Sequence, residues 1–280
     1  MTTISFAPSL SAHGAEIPAI GIGTSGLGYV SADHIATALK AGYRHIDTAR
    51  KYGTEGVVGE GMRASGVPRN DIFLCTKVSH ENLHAADFAR SVEQSLKALG
   101  VDYVDLLLVH WPEKNTPLAE TMSALAKAKR QGLTRHIGVA NFNIAMIDAA
   151  IGLCPEPLVT LQAECHPYLD QSKVIEACRK RGLVLTAYCP LARGRLIGDP
   201  VLADIARSHG KTVAQVALRW LMQQHIIAAI PRSSNATRIA ENIDIFDFEL
   251  GTADMARVAA LKRPDGRTAN PAGRAPQWDV

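Results

Sequence analysis

No apolar run in this chain approaches the roughly 20 residues that a membrane-spanning helix needs, so no membrane partner is expected. A basic block is missing too. The 30 Lys and Arg against 27 Asp and Glu leave a net charge of +3, scattered through helical segments, which offers nucleic acid no footprint. The 5 cysteines are odd in number and widely spaced, without a CxxC pair, so zinc and thiol redox motifs are excluded, buried thiols are expected and no metal is called for. The opening MTTISFAPSLSAHGAEI has no basic stretch followed by an apolar one. A secretory leader is therefore not expected, and a reducing cytoplasm is the expected location.

What is present is a cadence. At 280 residues with 47% hydrophobic content, the chain can bury a substantial core as a soluble globular protein. Residues 17–23 (IPAIGIG) read as a short buried strand, and Ser31 caps a helix in which Ile35, Ala38 and Leu39 recur at helical spacing. Strand 44–48, helix 55–64 and strand 71–78 (DIFLCTKV) follow, then helix 85–99 with Phe88, Val92 and Leu96 on one face and Gly100 as its stop. The series continues through strand 101–110 (VDYVDLLLVH), helix 118–131, strand 136–140, helix 144–151, strand 159–164, helix 171–181 and strand 183–188. A two-part helical stretch, 201–209 and 213–223, then strand 226–230 and helix 236–243 complete it, with Trp220 expected in the core. Eight strand–helix units without a linker predict an α/β fold, a (β/α)8 TIM barrel forming a single domain over residues 1–280, with an N-terminal β-hairpin closing the barrel bottom.

Gly21-Ile-Gly23-Thr-Ser-Gly26 matches the dinucleotide fingerprint GxGxxG, and Asp47 ends the next strand at about the right distance for a ribose ligand. That fingerprint needs a helix opening within the glycines, so that its N-terminal N–H groups meet the pyrophosphate. Here the capping residue, Ser31, comes too late, and the Rossmann reading is set aside.

In a parallel barrel the chemistry gathers at the C-terminal rim, so the polar residues that end strands matter most. Asp47 ends the second strand, with Tyr52 in the loop behind it. Lys77 is in phase with Phe73 and Cys75 on the third strand, which turns an ammonium toward the barrel interior. His110 ends the fourth strand and precedes Trp111. A buried ammonium needs an anion, and Asp47 on the neighbouring strand can supply it. The positive charge is expected to lower the pKa of Tyr52, making it a better proton donor, while His110 hydrogen-bonds the reacting oxygen.

These residues resemble the aldo-keto reductases: GYRHIDTARKYGTEGVVGEG is similar to that family's first signature, and Lys77 with His110-Trp111-Pro112 matches its remaining catalytic positions. The resemblance covers almost the whole chain. It implies an NADP(H)-dependent oxidoreductase in which Tyr52 protonates a carbonyl oxygen as hydride arrives, Lys77 and Asp47 tune Tyr52, and His110 orients the substrate. It also implies cofactor contacts from Gly23 and Thr24, from Asn141 and Gln162 to a carboxamide, and from Tyr188 stacking on the nicotinamide. Leu191 and Arg193 would meet the pyrophosphate, Arg232, Ser233 and Arg238 the 2′-phosphate, and Glu241 and Asn242 the adenine. Ala140 stands where the family usually has serine, and Arg232 where it more often has lysine. Ser25, Trp111 and Trp278 would line the substrate side, and the tail NPAGRAPQWDV resembles that of small bacterial 2,5-diketo-D-gluconate and methylglyoxal reductases. The implied substrate is a small-molecule carbonyl, an aldehyde or ketone such as a 2-oxoaldehyde or keto-sugar, reduced by a monomer. The alternative is a regulatory or sensor protein that binds the cofactor on the same barrel with little turnover.

Overall fold

Two short strands, β1 (Ser9–Ala12) and β2 (Ala15–Pro18), begin the fold in a computed structural model that describes residues 7–26 and 28–279. Residues 1–6, where no leader is read, lie outside the described residues. The strands pair antiparallel through His13-Gly14, whose positive φ values of 46° and 85° suit a two-residue hairpin turn.

Eight parallel strands follow: β3 (Gly21–Gly23), β4 (His45–Asp47), β5 (Phe73–Val78), β6 (Val104–Val109), β7 (Thr134–Ala140), β8 (Leu158–Glu164), β9 (Val184–Tyr188) and β10 (Ile227–Ala229). Each pairs with the next, and a bridge from Ile20 to Ala229 joins the two ends, so the barrel closes as expected. Between them run α1 (Ala32–Lys40), α2 (Glu55–Ser65), α3 (Ala85–Leu99), α4 (Leu118–Arg130), α5 (Ile144–Leu153), α6 (Ser172–Lys180), α7 (Pro200–His209), α8 (Val213–Met222) and α9 (Ala236–Ile243). Their boundaries follow local chemistry. Ser31 and Thr212 make capping boxes at the starts of α1 and α8, and left-handed glycines end α2, α3 and α7.

Two expectations change. Residues 17–23 are two strands rather than one, because Pro18 has no N–H to continue a ladder; Ile17 belongs to the hairpin, and the barrel takes Gly21–Gly23 together with the bridging Ile20. A tenth helix, α10 (Thr252–Ala259), follows the last element read from the sequence, and it buries only Val258.

The core has two layers. An outer one joins sheet and helices and includes Trp220, while an inner one holds Cys75, Leu106, Leu108, Ala140, Val159 and Val184 inside the barrel. Ala15 and Ile17 of the hairpin join the inner layer and plug the barrel bottom. Because strand side chains alternate, Leu74 and Val78 face the outer layer while Cys75 and Lys77 face inward, which sets an ammonium above an apolar floor. Cys75, Cys165 and Cys178 are buried, Cys154 and Cys189 half-buried, and all are free thiols. No helix among the described residues is long and apolar enough to cross a membrane.

Candidate active site

Three neighbouring strand ends meet at one point. Lys77 Nζ donates to Asp47 Oδ1 at 2.6 Å and to the Thr48 carbonyl at 2.8 Å, and Gln162 Nε2 donates to Asp47 Oδ2 at 2.8 Å. Lys77 is 0% and Asp47 2% exposed, so neither charge is shared with solvent. A single 3-10 turn (Arg50–Tyr52) after β4 brings Tyr52 back over this pair, its ring centroid 5.2 Å from Lys77 Nζ. The Tyr52 hydroxyl lies 3.5 Å from His110 Nε2, and the two rings meet edge to face at 5.4 Å. The four expected catalytic residues are therefore brought together, with Lys77 and Asp47 underneath and Tyr52 and His110 facing the cleft.

Burial governs the charges here. Burial works against the Lys77 ammonium, but Asp47, Tyr52 and Cys75 together raise its pKa above the ordinary lysine value, and Lys77 stays charged. His110 is held well below the usual histidine range by burial first and then by the charges of Lys77 and Arg274, so its imidazole is neutral. Tyr52 departs from expectation: burial raises its pKa above the ordinary phenol value, outweighing the downward pull of Lys77, and Asp47 adds to the rise. The phenol thus keeps its proton at neutral pH, and Lys77 limits a rise that burial imposes.

The cleft above them measures about 930 Å³. Every other residue expected to touch a cofactor lines it: Gly23, Thr24, Asn141, Gln162, Tyr188, Leu191, Arg193, Arg232, Ser233, Arg238, Glu241 and Asn242. Ser25 and Trp111 line it too, whereas Trp278 stands behind Trp111, ring centroids 6.2 Å apart. Several of these side chains have internal partners. Asn141 donates through Nδ2 to the His110 carbonyl at 2.8 Å and accepts from the Tyr188 hydroxyl at 2.7 Å, which leaves one donor and one lone pair free. Arg232 donates to the Ser25 carbonyl at 2.5 Å and stacks on Tyr29 at 4.9 Å, bridging the loops after β3 and β10.

The loop after β9 is strained. Cys189, Ala192 and Arg193 have φ values of 49°, 46° and 55°, in the left-handed region that side chains disfavour. Close approach also matters at Gly23, where an added Cβ would stand 2.9 Å from the Ile230 carbonyl. Tyr29 and Ile197, which also line the cleft, were not found from the sequence. Each is 60% or more exposed in an irregular loop, outside the periodicity that marks buried positions; the only available signal was a large hydrophobic side chain in a loop.

Comparison with known proteins gives the same picture. The profile of the Aldo/keto reductase family matches residues 19–263. The methylglyoxal reductase DkgB of Salmonella typhimurium is 41% identical over 267 residues, covering 94% of this chain and 99% of that protein. A solved structure described as a putative 2,5-diketo-D-gluconic acid reductase B superposes with a TM-score of 0.95 at 45% identity, over 100% of both chains. An aldo-keto reductase from Bombyx mori in complex with NADP has a TM-score of 0.86 at 33% identity, covering 92% of this chain and 94% of that one. With the family profile matched over most of its length and the barrel shared in full, the chain belongs to the aldo/keto reductase family of oxidoreductases.

Proposed function

We propose that the chain reduces aldehyde and ketone carbonyls with NADPH, acting on small 2-oxoaldehydes such as methylglyoxal and keto-sugars such as 2,5-diketo-D-gluconate. The observation that carries this reading is the convergence of Tyr52 and His110 above a fully buried Lys77–Asp47 pair, in a cleft that Arg232 and Arg238 also line. Two of the relatives support the substrate class by their names.

The cleft fits a phosphorylated dinucleotide. Tyr188 offers an aromatic face beside the Asn141 and Gln162 amides, and Gly23 clears space where a side chain would clash. The left-handed run at residues 189–193 supports the assignment of a pyrophosphate contact to Leu191 and Arg193. Arg238, with Ser233 and Arg232, would hold the 2′-phosphate, and Glu241 and Asn242 the adenine. A reduced nicotinamide held by these residues would supply the hydride for the carbonyl carbon.

The chain's own residues handle the oxygen. Tyr52, still protonated at neutral pH, donates its proton to the carbonyl oxygen, and the Lys77 ammonium stabilises the phenolate left behind. Asp47 holds Lys77 in place and charged, and Gln162 holds Asp47. His110, held neutral, faces the same oxygen and in its Nε2-protonated tautomer donates to it and fixes its direction.

Loss of NADPH absorbance with methylglyoxal tests the proposal. Tyr52→Phe is expected to lower kcat by about 10²–10⁴-fold while still binding NADPH. A wild-type rate no faster than that of the variant, with binding intact, would refute catalysis and leave a cofactor-binding sensor.

A further inference from the structure

The loop that carries Tyr52 is closed at its base by two hydroxyls. Thr48 follows β4, Tyr52 ends the 3-10 turn behind it, and Thr54 is the N-cap of α2. Thr48 Oγ1 and Thr54 Oγ1 lie 3.1 Å apart, and Thr54 Oγ1 lies 3.2 Å from the hydroxyl of Thr24, the residue after β3. All three threonines are buried, so water does not compete for these bonds. An N-cap threonine ordinarily lends its hydroxyl to an N–H of the first helical turn. Thr54 does not: its carbonyl accepts from the Val58 N–H at 3.0 Å and starts the helix, while its side chain makes no capping bond. The helix forgoes its cap, and the hydroxyl serves the barrel rim instead.

The next residue adds a third tie. Glu55, also buried, accepts from Thr76 Oγ1 at 2.6 Å and lies 3.5 Å from the Arg50 guanidinium; Thr76 stands beside Lys77 on β5. The start of α2 therefore grips residues of three neighbouring strands or their ends. Thr48 matters most among them, because its N–H donates to the Cys75 carbonyl at 2.9 Å and its carbonyl accepts from Lys77 Nζ at 2.8 Å. One residue thus holds Lys77 through its carbonyl and the far end of the Tyr52 loop through its hydroxyl. Bonds inside the loop are local: Tyr52 N–H donates to the Ala49 carbonyl at 3.0 Å and Gly53 N–H to the Arg50 carbonyl at 3.3 Å. They shape the turn without fixing it to the barrel. Lys51 pairs with Glu81 at 2.7 Å, but both are exposed, and such a pair holds weakly.

We propose that Thr54 is a positioning residue for the proton donor: by closing the base of the loop it fixes Tyr52 over Lys77 and against His110. The role in turnover rests on the reductase reading of the cleft.

Two variants separate the hydroxyl from the shape of the side chain: Thr54→Val removes the hydroxyl and keeps the branch, and Thr54→Ser keeps the hydroxyl and loses a methyl group. With NADPH and methylglyoxal, Thr54→Val is expected to lower kcat by about tenfold and to raise the solvent isotope effect on it, with NADPH affinity changed by less than about threefold. Thr54→Ser is expected to stay within about twofold of wild type. A kcat unchanged in Thr54→Val, an equal loss in both variants, or a loss confined to NADPH affinity overturns the proposal. Carbon-13 NMR of the 6 tyrosines in the full chain gives a readout free of turnover, with Tyr52 assigned from Tyr52→Phe. The Tyr52 signal should move in Thr54→Val while the others stay, and Thr54→Ser should return it; an unmoved signal overturns the proposal. If wild type reduces no carbonyl, the reductase reading fails, and the Tyr52 signal still decides whether Thr54 fixes the loop. Should Thr54→Val not fold, Thr48→Val removes the other partner of the same bond, leaves the Thr48 carbonyl on Lys77, and is held to the same outcomes.

Discussion

Replacing Asp47 by asparagine isolates the buried ion pair. Asparagine keeps the outline of the side chain and one oxygen for Gln162 Nε2, but it removes the charge opposite Lys77 and turns an amide N–H toward the ammonium in place of the second accepting oxygen. At 2.6 Å, with an effective dielectric constant of about 20, the attraction within the pair is on the order of 6 kcal/mol. Desolvation of both groups offsets much of it, and stranding one partner of a buried pair costs about 3–5 kcal/mol. Lys77 sets how that loss moves with pH. In the intact protein its pKa is raised, so its contribution is complete below the unfolded value of about 10.4 and is lost as pH rises through the folded value. Without Asp47, burial dominates and the folded pKa falls below the unfolded one, which reverses the sign. The variant is then penalised most at low pH and recovers as pH rises toward about 10.4, by up to about 1.4 kcal/mol per pH unit. Urea unfolding of both proteins from about pH 7 to about pH 9.5 reads the difference. A gap of about 3–5 kcal/mol that narrows with pH is expected. A gap under about 1 kcal/mol, or one that stays constant, would refute the reasoning.

Two more outcomes follow from the site. With His110 held neutral and Tyr52 raised, kcat/KM should be flat from about pH 6 to about pH 9 and fall only as Tyr52 loses its proton at higher pH; a transition centred near the ordinary histidine value of about 6.5 would contradict the neutral imidazole. Arg238→Ala should weaken NADPH binding by about tenfold or more while leaving NADH nearly unchanged, because only NADPH carries the extra phosphate; fluorescence titration showing equal losses would remove Arg238 from that role.

The barrel was legible because each strand–helix unit carries its own periodicity, and the rim residues Asp47, Lys77 and His110 were legible because they interrupt apolar strands. The direction of the Tyr52 shift was not. It depends on how deeply the ring sits under neighbouring loops, and burial is a sum over contacts that no local pattern encodes. The split at Pro18 follows a known rule, but the apolar run IPAIGIG hid it: a buried hairpin strand and a buried barrel strand read alike. The helix α10, which buries only Val258, was missed because it follows the eighth strand–helix unit, where the repeat used to read the barrel is already complete.

The hairpin at the barrel bottom turns a tube into a cup. With Ile17 wholly enclosed among inner side chains, the floor lies at the opposite end of the barrel from the rim. Substitutions in the plug change how firmly the protein holds together, and substitutions at the rim change what it accepts. The chain can therefore be made hardier from below without disturbing its choice of substrate above.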